Sequence, residues 1–169
     1  ELLTASLHGM LTSASMPWFS LRFTDPMLDG DDMAKEWLEN TTEKMYDAFA
    51  RSNFQEQVHE MYADLVAFGT AVMFVDKDDV SQLRFSTRHI AECFLAEDAH
   101  GRVDTVVRKY KMSGRDVRSL WGKDIGPALV PRVKENPYEM IELLHIVQPR
   151  DEYDTGISDN LNMRFMSCL

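Results

Sequence analysis

The chain has 169 residues, of which 44% are hydrophobic, and its 28 acidic and 18 basic side chains give a formal net charge of −10. This composition can bury a core and excludes a largely disordered chain, and the acidic excess excludes a simple nucleic-acid-coating protein, which needs clustered lysine and arginine. The sequence has no run of about 18 apolar residues, so we predict no membrane span. Its two cysteines, Cys93 and Cys168, exclude a disulfide framework and favour a reduced, intracellular protein.

The N-terminal third predicts two helices with one strand between them. Apolar residues at helical spacing predict a helix over residues 1–14 and a second helix over about 32–51, which follows an aspartate-rich capping signal. Between them, Phe19, Leu21 and Phe23 alternate with polar residues. This alternation predicts a strand over residues 18–24.

Residues 53–75 predict a helix followed directly by a strand. Asn53 is the predicted N-cap, and Glu56 is predicted to reach back to the Asn53 amide in a capping box. Gly69 tolerates positive φ and is predicted to end the helix. The short apolar run of residues 71–75 then predicts a buried strand, so we expect the chain to turn back onto its own helix.

The remainder predicts antiparallel strands and two short helices. A turn at residues 77–79 leads into a predicted strand over 82–87, and Ser113 caps a predicted helix that Gly122 ends. The other predicted elements are strands over 91–96, 103–110 and 138–147, and a helix that begins at Gly126-Pro127 and runs towards Asn136.

These elements predict an α+β fold in which two to three packed helices lie on an antiparallel β-meander. Residues 1–148 are predicted to form one domain that includes the N-terminal helix. Residues 149–169 are predicted to form a polar loop and the start of a truncated strand. The sequence begins inside a helical pattern without an initiator methionine, so we expect a fragment of a longer protein.

The sequence predicts no catalytic, cofactor-binding or metal-binding residue. His59-Glu60 lies on a predicted helix, but Ala63 occupies the position where the zinc-protease pattern needs its second histidine. The aspartates of residues 76–79 lack the glycine and the terminal glutamate of a calcium-binding loop. No glycine-rich phosphate-binding loop occurs in the sequence.

Charge is unevenly distributed along the chain. Residues 102–123 hold seven basic and two acidic side chains, whereas residues 1–101 hold 18 acidic and 7 basic ones. The basic block is either a solvated surface or a contact for an acidic partner, most simply the N-terminal half of an adjacent copy, with nucleic acid as a third alternative. The candidate interface residues are Arg108, Lys109, Lys111, Arg115 and Arg118, the first three on a strand and the last two on the following helix.

Trp18 is a further candidate for the interface. In the predicted strand it lies on the face opposite Phe19, Leu21 and Phe23. Either a second layer of the protein covers it, or it is an anchor between subunits, since tryptophan often dominates the binding energy of interfaces.

Several separated motifs resemble the head-to-tail connector (portal) proteins of short-tailed bacteriophages and prophages. The resemblance extends from about Leu3 to Arg150 and depends on the order of the motifs. They are Leu7-His8-Gly9-Met10-Leu11-Thr12-Ser13 before Pro17-Trp18-Phe19, Asn53-Phe54 at a helix start, Phe68-Gly69-Thr70-Ala71 at its end, and Gly101-Arg102-Val103-Asp104-Thr105-Val106.

The resemblance implies a structural protein without enzymatic activity or cofactors. Portal subunits form a ring of about a dozen copies at the head-tail vertex of the virion, assembled in the bacterial cytoplasm. The ring is the channel for double-stranded DNA during packaging and ejection, without sequence-specific binding, and it contacts terminase, tail or adaptor proteins and the capsid. The fragment then resembles the peripheral wing region of the subunit.

Two alternatives from other classes stay open at this point. A small acidic adaptor or regulatory domain would fold completely within these residues. A metal-dependent hydrolase would need histidine, aspartate or glutamate ligands that converge only in three dimensions.

Overall fold

The structure is a computed structural model that describes residues 1–169, apart from the side chain of Asp29. The described residues form five α-helices and two antiparallel sheets, which confirms the predicted α+β class. The chain divides into two compact units, Glu1–Ile90 and Ala91–Leu169, called here the N-unit and the C-unit. Among the described residues, no helix combines the length and the apolar character that a membrane crossing requires.

The N-unit contains three helices and a β-hairpin. Its helices and strands confirm the predicted helices near 1–14, 32–51 and 53–68 and the predicted strand pair. They are α1 (Leu2–Leu11), α2 (Asp32–Arg51), α3 (Phe54–Phe68), β1 (Val72–Asp78) and β2 (Gln82–Arg88), and the two strands pair antiparallel.

The C-unit contains a four-stranded antiparallel sheet and two short helices. Its elements are β3 (Cys93–Glu97), β4 (Val103–Ser113), α4 (Gly114–Trp121), α5 (Val130–Glu135), β5 (Met140–Pro149) and β6 (Phe165–Cys168). The strands lie in the order β3-β4-β5-β6. The strands predicted as one meander therefore lie in two separate sheets.

The core of the N-unit is centred on α3. Phe54, Val58 and Tyr62 recur every fourth residue, and all three are buried together with Phe85 of β2. Burying each such side chain stabilises the fold by roughly 1.5–3 kcal/mol. Gly69 ends α3 in the left-handed conformation, at φ 73°, as predicted.

Asn53 precedes α3 as predicted, but the predicted capping box is wrong. Its side chain makes no capping hydrogen bond. Instead its Nδ2 donates to the backbone oxygen of Phe85 at 2.8 Å, and its Oδ1 accepts from the Phe85 N–H at 2.9 Å. A side-chain amide has the donor and acceptor of a peptide group, so Asn53 pairs with β2 as a neighbouring strand would. At the start of the helix it is the Ser52 hydroxyl that accepts from the N–H of Phe54.

The strand predicted over residues 18–24 is wrong, because the backbone there bonds to a side chain. The Tyr46 hydroxyl accepts from the N–H groups of Trp18 and Phe19, both at 2.7 Å, and donates to the Phe19 oxygen at 2.9 Å. A hydroxyl offers one donor and two acceptor sites, so Tyr46 uses its full capacity. Residues 17–23 cross α2 as an irregular segment.

The apolar stripe predicted along α2 is only partly buried. Phe49, near its C-terminal end, packs against the core cluster, whereas Met33 and Trp37 are 80% and 57% exposed. Trp37 instead stacks on Phe23, with ring centroids 5.8 Å apart. Only the C-terminal half of α2 therefore reaches the core of the N-unit.

The hairpin turn lies two residues later than predicted, over residues 79–81. Asp78 closes it by accepting from both the N–H and the hydroxyl of Ser81, each at 2.7 Å. The Ser81 hydroxyl holds the pKa of Asp78 below its usual value. The turn is thus specified by a side-chain contact that begins inside β1.

The core of the C-unit lies between the sheet and its two helices. Val117 of α4 and Val133 of α5 are each only 2% exposed, and they pack on Ile141 and Leu143 of β5. Tyr110 and Met112 of β4 complete this face of the sheet. Alternate residues of β4 therefore face the helices, as the period of a strand requires.

We expect Asn53→Ala to destabilise the protein by about 1–3 kcal/mol, because it leaves the Phe85 N–H and oxygen without their partner. Urea unfolding measures the free energy, and amide hydrogen exchange should accelerate at Phe85. Asn40→Ala, an exposed position of α2, is the control and should change stability by no more than about 0.5 kcal/mol. Equal effects of the two substitutions would contradict the strand-like role of Asn53.

We expect Tyr46→Phe to cost about 1–3 kcal/mol, since the ring is kept and only the hydroxyl that bonds residues 18 and 19 is lost. Thermal unfolding measures the loss, and proteolysis within residues 13–24 should accelerate because the segment is no longer held. Tyr138→Phe, with a side chain 76% exposed, is the matched control and should behave as the unsubstituted protein.

Candidate subunit interface

The strand β4 divides the predicted basic residues between two faces of the sheet. Arg108 lies on the face of Tyr110, which packs on the helices, and Lys109 and Lys111 lie on the opposite face. Successive residues of a strand alternate between its faces in this way. Because the two faces point apart, these three cations do not form one surface.

Arg108 is bonded within the C-unit. Its Nη2 lies 2.8 Å from a carboxylate oxygen of Glu92, its Nε donates to the same oxygen, and its guanidinium lies 3.9 Å from the centroid of the Tyr110 ring. The side chain is only 16% exposed. Its charge is therefore paired inside the C-unit.

Lys109 has an internal partner as well, in a more exposed position. Its Nζ lies 3.0 Å from a carboxylate oxygen of Glu142 on β5, and both side chains are about half exposed. Glu142 is also the cross-strand neighbour of Lys111. Among the described residues only Lys109 forms an ion pair with Glu142, and such an exposed pair contributes only about 0–1 kcal/mol.

The start of α4 is held in place by a close backbone contact. Ser113 caps the helix, and the N–H of Gly114 donates to the Glu139 oxygen at 2.9 Å. A Cβ at Gly114 would lie 3.3 Å from the backbone oxygens of Asn136 and Pro137, so a larger side chain would crowd this joint. The contact fixes the direction of the helix and of its exposed residues.

Arg115 and Arg118 are exposed on α4, and Lys134 of α5 joins them. The helix period places the two arginines about 60° apart around its axis. Arg118 and Lys134 line the same small cleft, of about 60 Å³. Within the described residues none of the three forms an ion pair, which leaves a cluster of like charges that attracts an acidic partner.

Lys134 is absent from the predicted interface residues because it lies outside the basic block of the sequence. No local signal could reveal it, since its neighbours in sequence include Glu135. Only the packing of α5 beside α4 brings it to Arg118. We call Arg115, Arg118 and Lys134 the cationic cluster.

Trp18 lies in an aromatic group of the N-unit. Its ring stacks on Phe54 with centroids 5.7 Å apart and meets Phe19 edge-on at 4.8 Å. It is half-buried, and it packs against the buried core cluster. This arrangement fits the first alternative, a covering layer within the protein, and a role of Trp18 between subunits stays a prediction.

The helices α1 and α3 bring two histidines together that are far apart in sequence. The rings of His8 and His59 lie 5.4 Å apart, and Nε2 of His8 donates to Oε1 of Gln55 at 2.6 Å. No third ligand joins them, since the described residues contain no group of three or more His, Cys, Asp or Glu side chains able to hold a metal ion.

Many large apolar side chains of both units are exposed, and extensive exposed apolar surface marks sites of interaction with other molecules. The chain belongs to the family of bacteriophage head to tail connecting proteins, which it matches over residues 1–169. It is 32% identical to the portal protein of Salmonella phage epsilon15 and 31% identical to a probable portal protein of Bordetella phage BPP-1. Each match covers 99% of this chain, and the chain spans about 30% of the length of either relative.

The internal bonding of Arg108 predicts unequal costs for two adjacent substitutions. We expect Arg108→Met to destabilise the protein by about 1–3 kcal/mol, because Glu92 loses a charged partner and Tyr110 loses the guanidinium over its ring. Lys109→Met is the matched control and should cost no more than about 1 kcal/mol, since its ion pair is exposed. Urea unfolding of both variants measures the difference, and equal costs would contradict the internal role of Arg108.

Proposed function

We propose that residues 1–169 form part of the peripheral, wing-like region of a portal subunit. Identical subunits assemble into a ring at the head-tail vertex of the virion. The ring is the channel through which double-stranded DNA enters and leaves the head, without sequence-specific contacts, and it binds terminase, the capsid and the tail or adaptor proteins. Membership of the connector family supports this proposal, as do the printed names of the two phage relatives.

The observation that carries the proposal at the level of residues is the cationic cluster. Arg118 and Lys134 line one cleft of the C-unit, Arg115 is exposed on the same helix as Arg118, and none of the three has a carboxylate partner among the described residues. The N-unit holds 15 acidic and 7 basic side chains, a net charge of −8. We propose that the N-unit of one copy receives the cationic cluster of the next.

Ring symmetry supports a contact between two different surfaces. A cyclic ring with more than two members needs heterologous interfaces, in which one face of a subunit complements another face of its neighbour. A basic surface on one unit and an acidic excess on the other meet this requirement. Complementary charge of this kind sets the register and raises the association rate more than it adds affinity.

This mechanism is mechanical and depends on assembly. The acidic balance of the chain also suits a channel protein along which DNA slides, because like charge opposes tight binding of phosphate. No step of the proposed role requires a catalytic residue or a cofactor of this chain.

We expect the double substitution Arg115→Glu and Arg118→Glu, in the full-length protein, to slow ring assembly by roughly tenfold or more, because it removes the electrostatic attraction between neighbours. Light scattering during assembly measures the rate. Both side chains are exposed, so the free energy of unfolding should change by no more than about 0.5 kcal/mol.

The matched control reverses two exposed cations of the N-unit, Arg22→Glu and Lys44→Glu, which changes the net charge equally. This variant should assemble at the normal rate or faster, since it makes the acidic unit more acidic. Unchanged assembly of the Arg115/Arg118 variant would show that the cationic cluster is a solvated surface without a role in assembly. Failure of the unsubstituted full-length protein to form a ring would overturn the proposed function.

A further inference from the structure

One edge of the N-unit hairpin is closed by side chains at the start of α3. Asn53 bonds both backbone groups of Phe85, and the Thr87 N–H donates to Oε1 of Gln57 at 2.6 Å. The Thr87 hydroxyl donates in turn to the Gln57 backbone oxygen at 2.6 Å. The outer edge of β2 is therefore occupied, which prevents it from pairing with another strand.

The same bonds show which groups of β1 point outwards. Phe85 and Thr87 direct their N–H groups away from β1, so their cross-strand partners, Val75 and Met73, direct theirs away from β2. No backbone bond to Met73 or Val75 from outside the hairpin occurs among the described residues. The outer edge of β1 thus presents the backbone N–H and oxygen of Met73 and those of Val75.

The C-unit also has a strand edge on which every second residue points its backbone groups outwards. The Arg150 N–H donates to the Arg164 oxygen at 2.9 Å, so Arg150 and Arg164 form a hydrogen-bonded pair beside the ladder of β5 and β6. Along an antiparallel strand, backbone groups point alternately towards and away from the neighbouring strand. Since those of Arg164 point towards β5, those of Phe165 and Ser167 point away from it. Pro149, which has no N–H, lies opposite Phe165, where no donor towards β6 is needed.

We propose that the outer edge of β1 pairs antiparallel with β6 of a neighbouring copy, so that one sheet continues from subunit to subunit. The inference rests on the proposed function, because it supplies a contact between neighbours in the ring. Met73 then pairs with Ser167, and Val75 with Phe165. This register places Asp76 directly opposite Arg164, which is an opposite-charge pair across the two strands.

The charges select the orientation of the strands. The acidic residues of β1 lie at its C-terminal end, and Arg164 directly precedes β6, so only the antiparallel arrangement brings them together. Arg164 contacts the Phe165 ring and forms no ion pair within the described residues. Asp76 is exposed as well, and it accepts only from the adjacent Lys77 N–H.

Existing hydrogen bonds oppose the register shifted by two residues. In that register the Lys77 N–H would have to leave Asp76 Oδ1, to which it donates at 2.8 Å, and bond the neighbour. Asp78 would have to meet Arg164 with one oxygen, because its Oδ2 already accepts two bonds from Ser81. The opposite shift places Phe74 against Arg164 and forms no charge pair.

The pairing has the asymmetry that a ring requires. The edges of β1 and β6 differ in sequence, so each copy offers one edge to each neighbour and the contact is heterologous. Addition of a strand to an exposed edge gives affinity through backbone hydrogen bonds, and side chains on alternate positions give specificity. Covering the β1 edge also removes a site of uncontrolled aggregation.

The register is tested by a disulfide between subunits. Val72 would lie opposite the native, exposed Cys168 in a pair that lacks hydrogen bonds, where Cα atoms are about 4.5 Å apart, within the range of a disulfide. We expect Val72→Cys, in the full-length protein assembled from isotope-labelled and unlabelled chains and then oxidised, to form a 72–168 disulfide between chains. Mass spectrometry of mixed-isotope peptides identifies that bond.

The matched control is Val80→Cys, the same exchange at a 93% exposed position of the hairpin turn beyond the end of β1, which should give no bond to Cys168. A normal ring without the 72–168 bond, or that bond formed within one chain, would overturn the edge pairing and leave the proposed function intact. The first result would be expected if another segment of the longer protein covered β6. A 72–168 bond between chains in an open assembly would support the pairing and contradict the closed ring.

The charge pair is tested separately by a double-mutant cycle with neutral side chains, which leaves no like charges opposite Arg84 in the hairpin. Asp76→Asn should weaken association of the full-length protein by up to about fivefold, the effect of one cross-strand ion pair, as measured by analytical ultracentrifugation. Adding Arg164→Gln to that variant should weaken association no further, because the ion pair is already lost. Additive weakening in the double variant would show that residues 76 and 164 do not face each other.

Discussion

The N-unit depends on one constraint, which is that the backbone groups at the outer edge of β2 are paired by side chains of a helix. The amide of Asn53 pairs with Phe85, and Gln57 pairs with Thr87 one helical turn later. These bonds hold α3 against the hairpin, so that Phe54 and Phe85 can share one core. They also determine which edge of the hairpin is covered, and hence that β1 carries the available edge.

In the C-unit a backbone contact holds a helix against the sheet. The close approach at Gly114 joins the start of α4 to the turn before β5, and this joint directs Arg115 and Arg118 outwards. The inner face of α4 meets the sheet through Val117, which is 2% exposed. A buried inner face and a close joint therefore hold the exposed arginines of α4 in one direction, as the proposed contact between copies requires.

The sequence predicts the helices well where a local pattern carries the information. The bounds of α2 and α3 follow from periodicity, and the end of α3 follows from Gly69, because a positive φ is a property of the residue itself. The strand over 18–24 and the capping box of Asn53 are wrong for a shared reason. In each case a partner about 30 residues away, Tyr46 or Phe85, competes successfully for the same hydrogen-bonding groups.

The amino-acid sequence by itself determined the α+β class, the uneven charge and the order of motifs by which the family is recognised, since all three are read residue by residue. The tertiary structure decided which cations are paired inside the subunit and which are exposed without a partner among the described residues. It bonds Arg108 to Glu92 inside the C-unit and places Lys134 beside Arg118. It also decided which strand edges are open, because the direction of each backbone N–H depends on the partner strand and not on the residue that carries it.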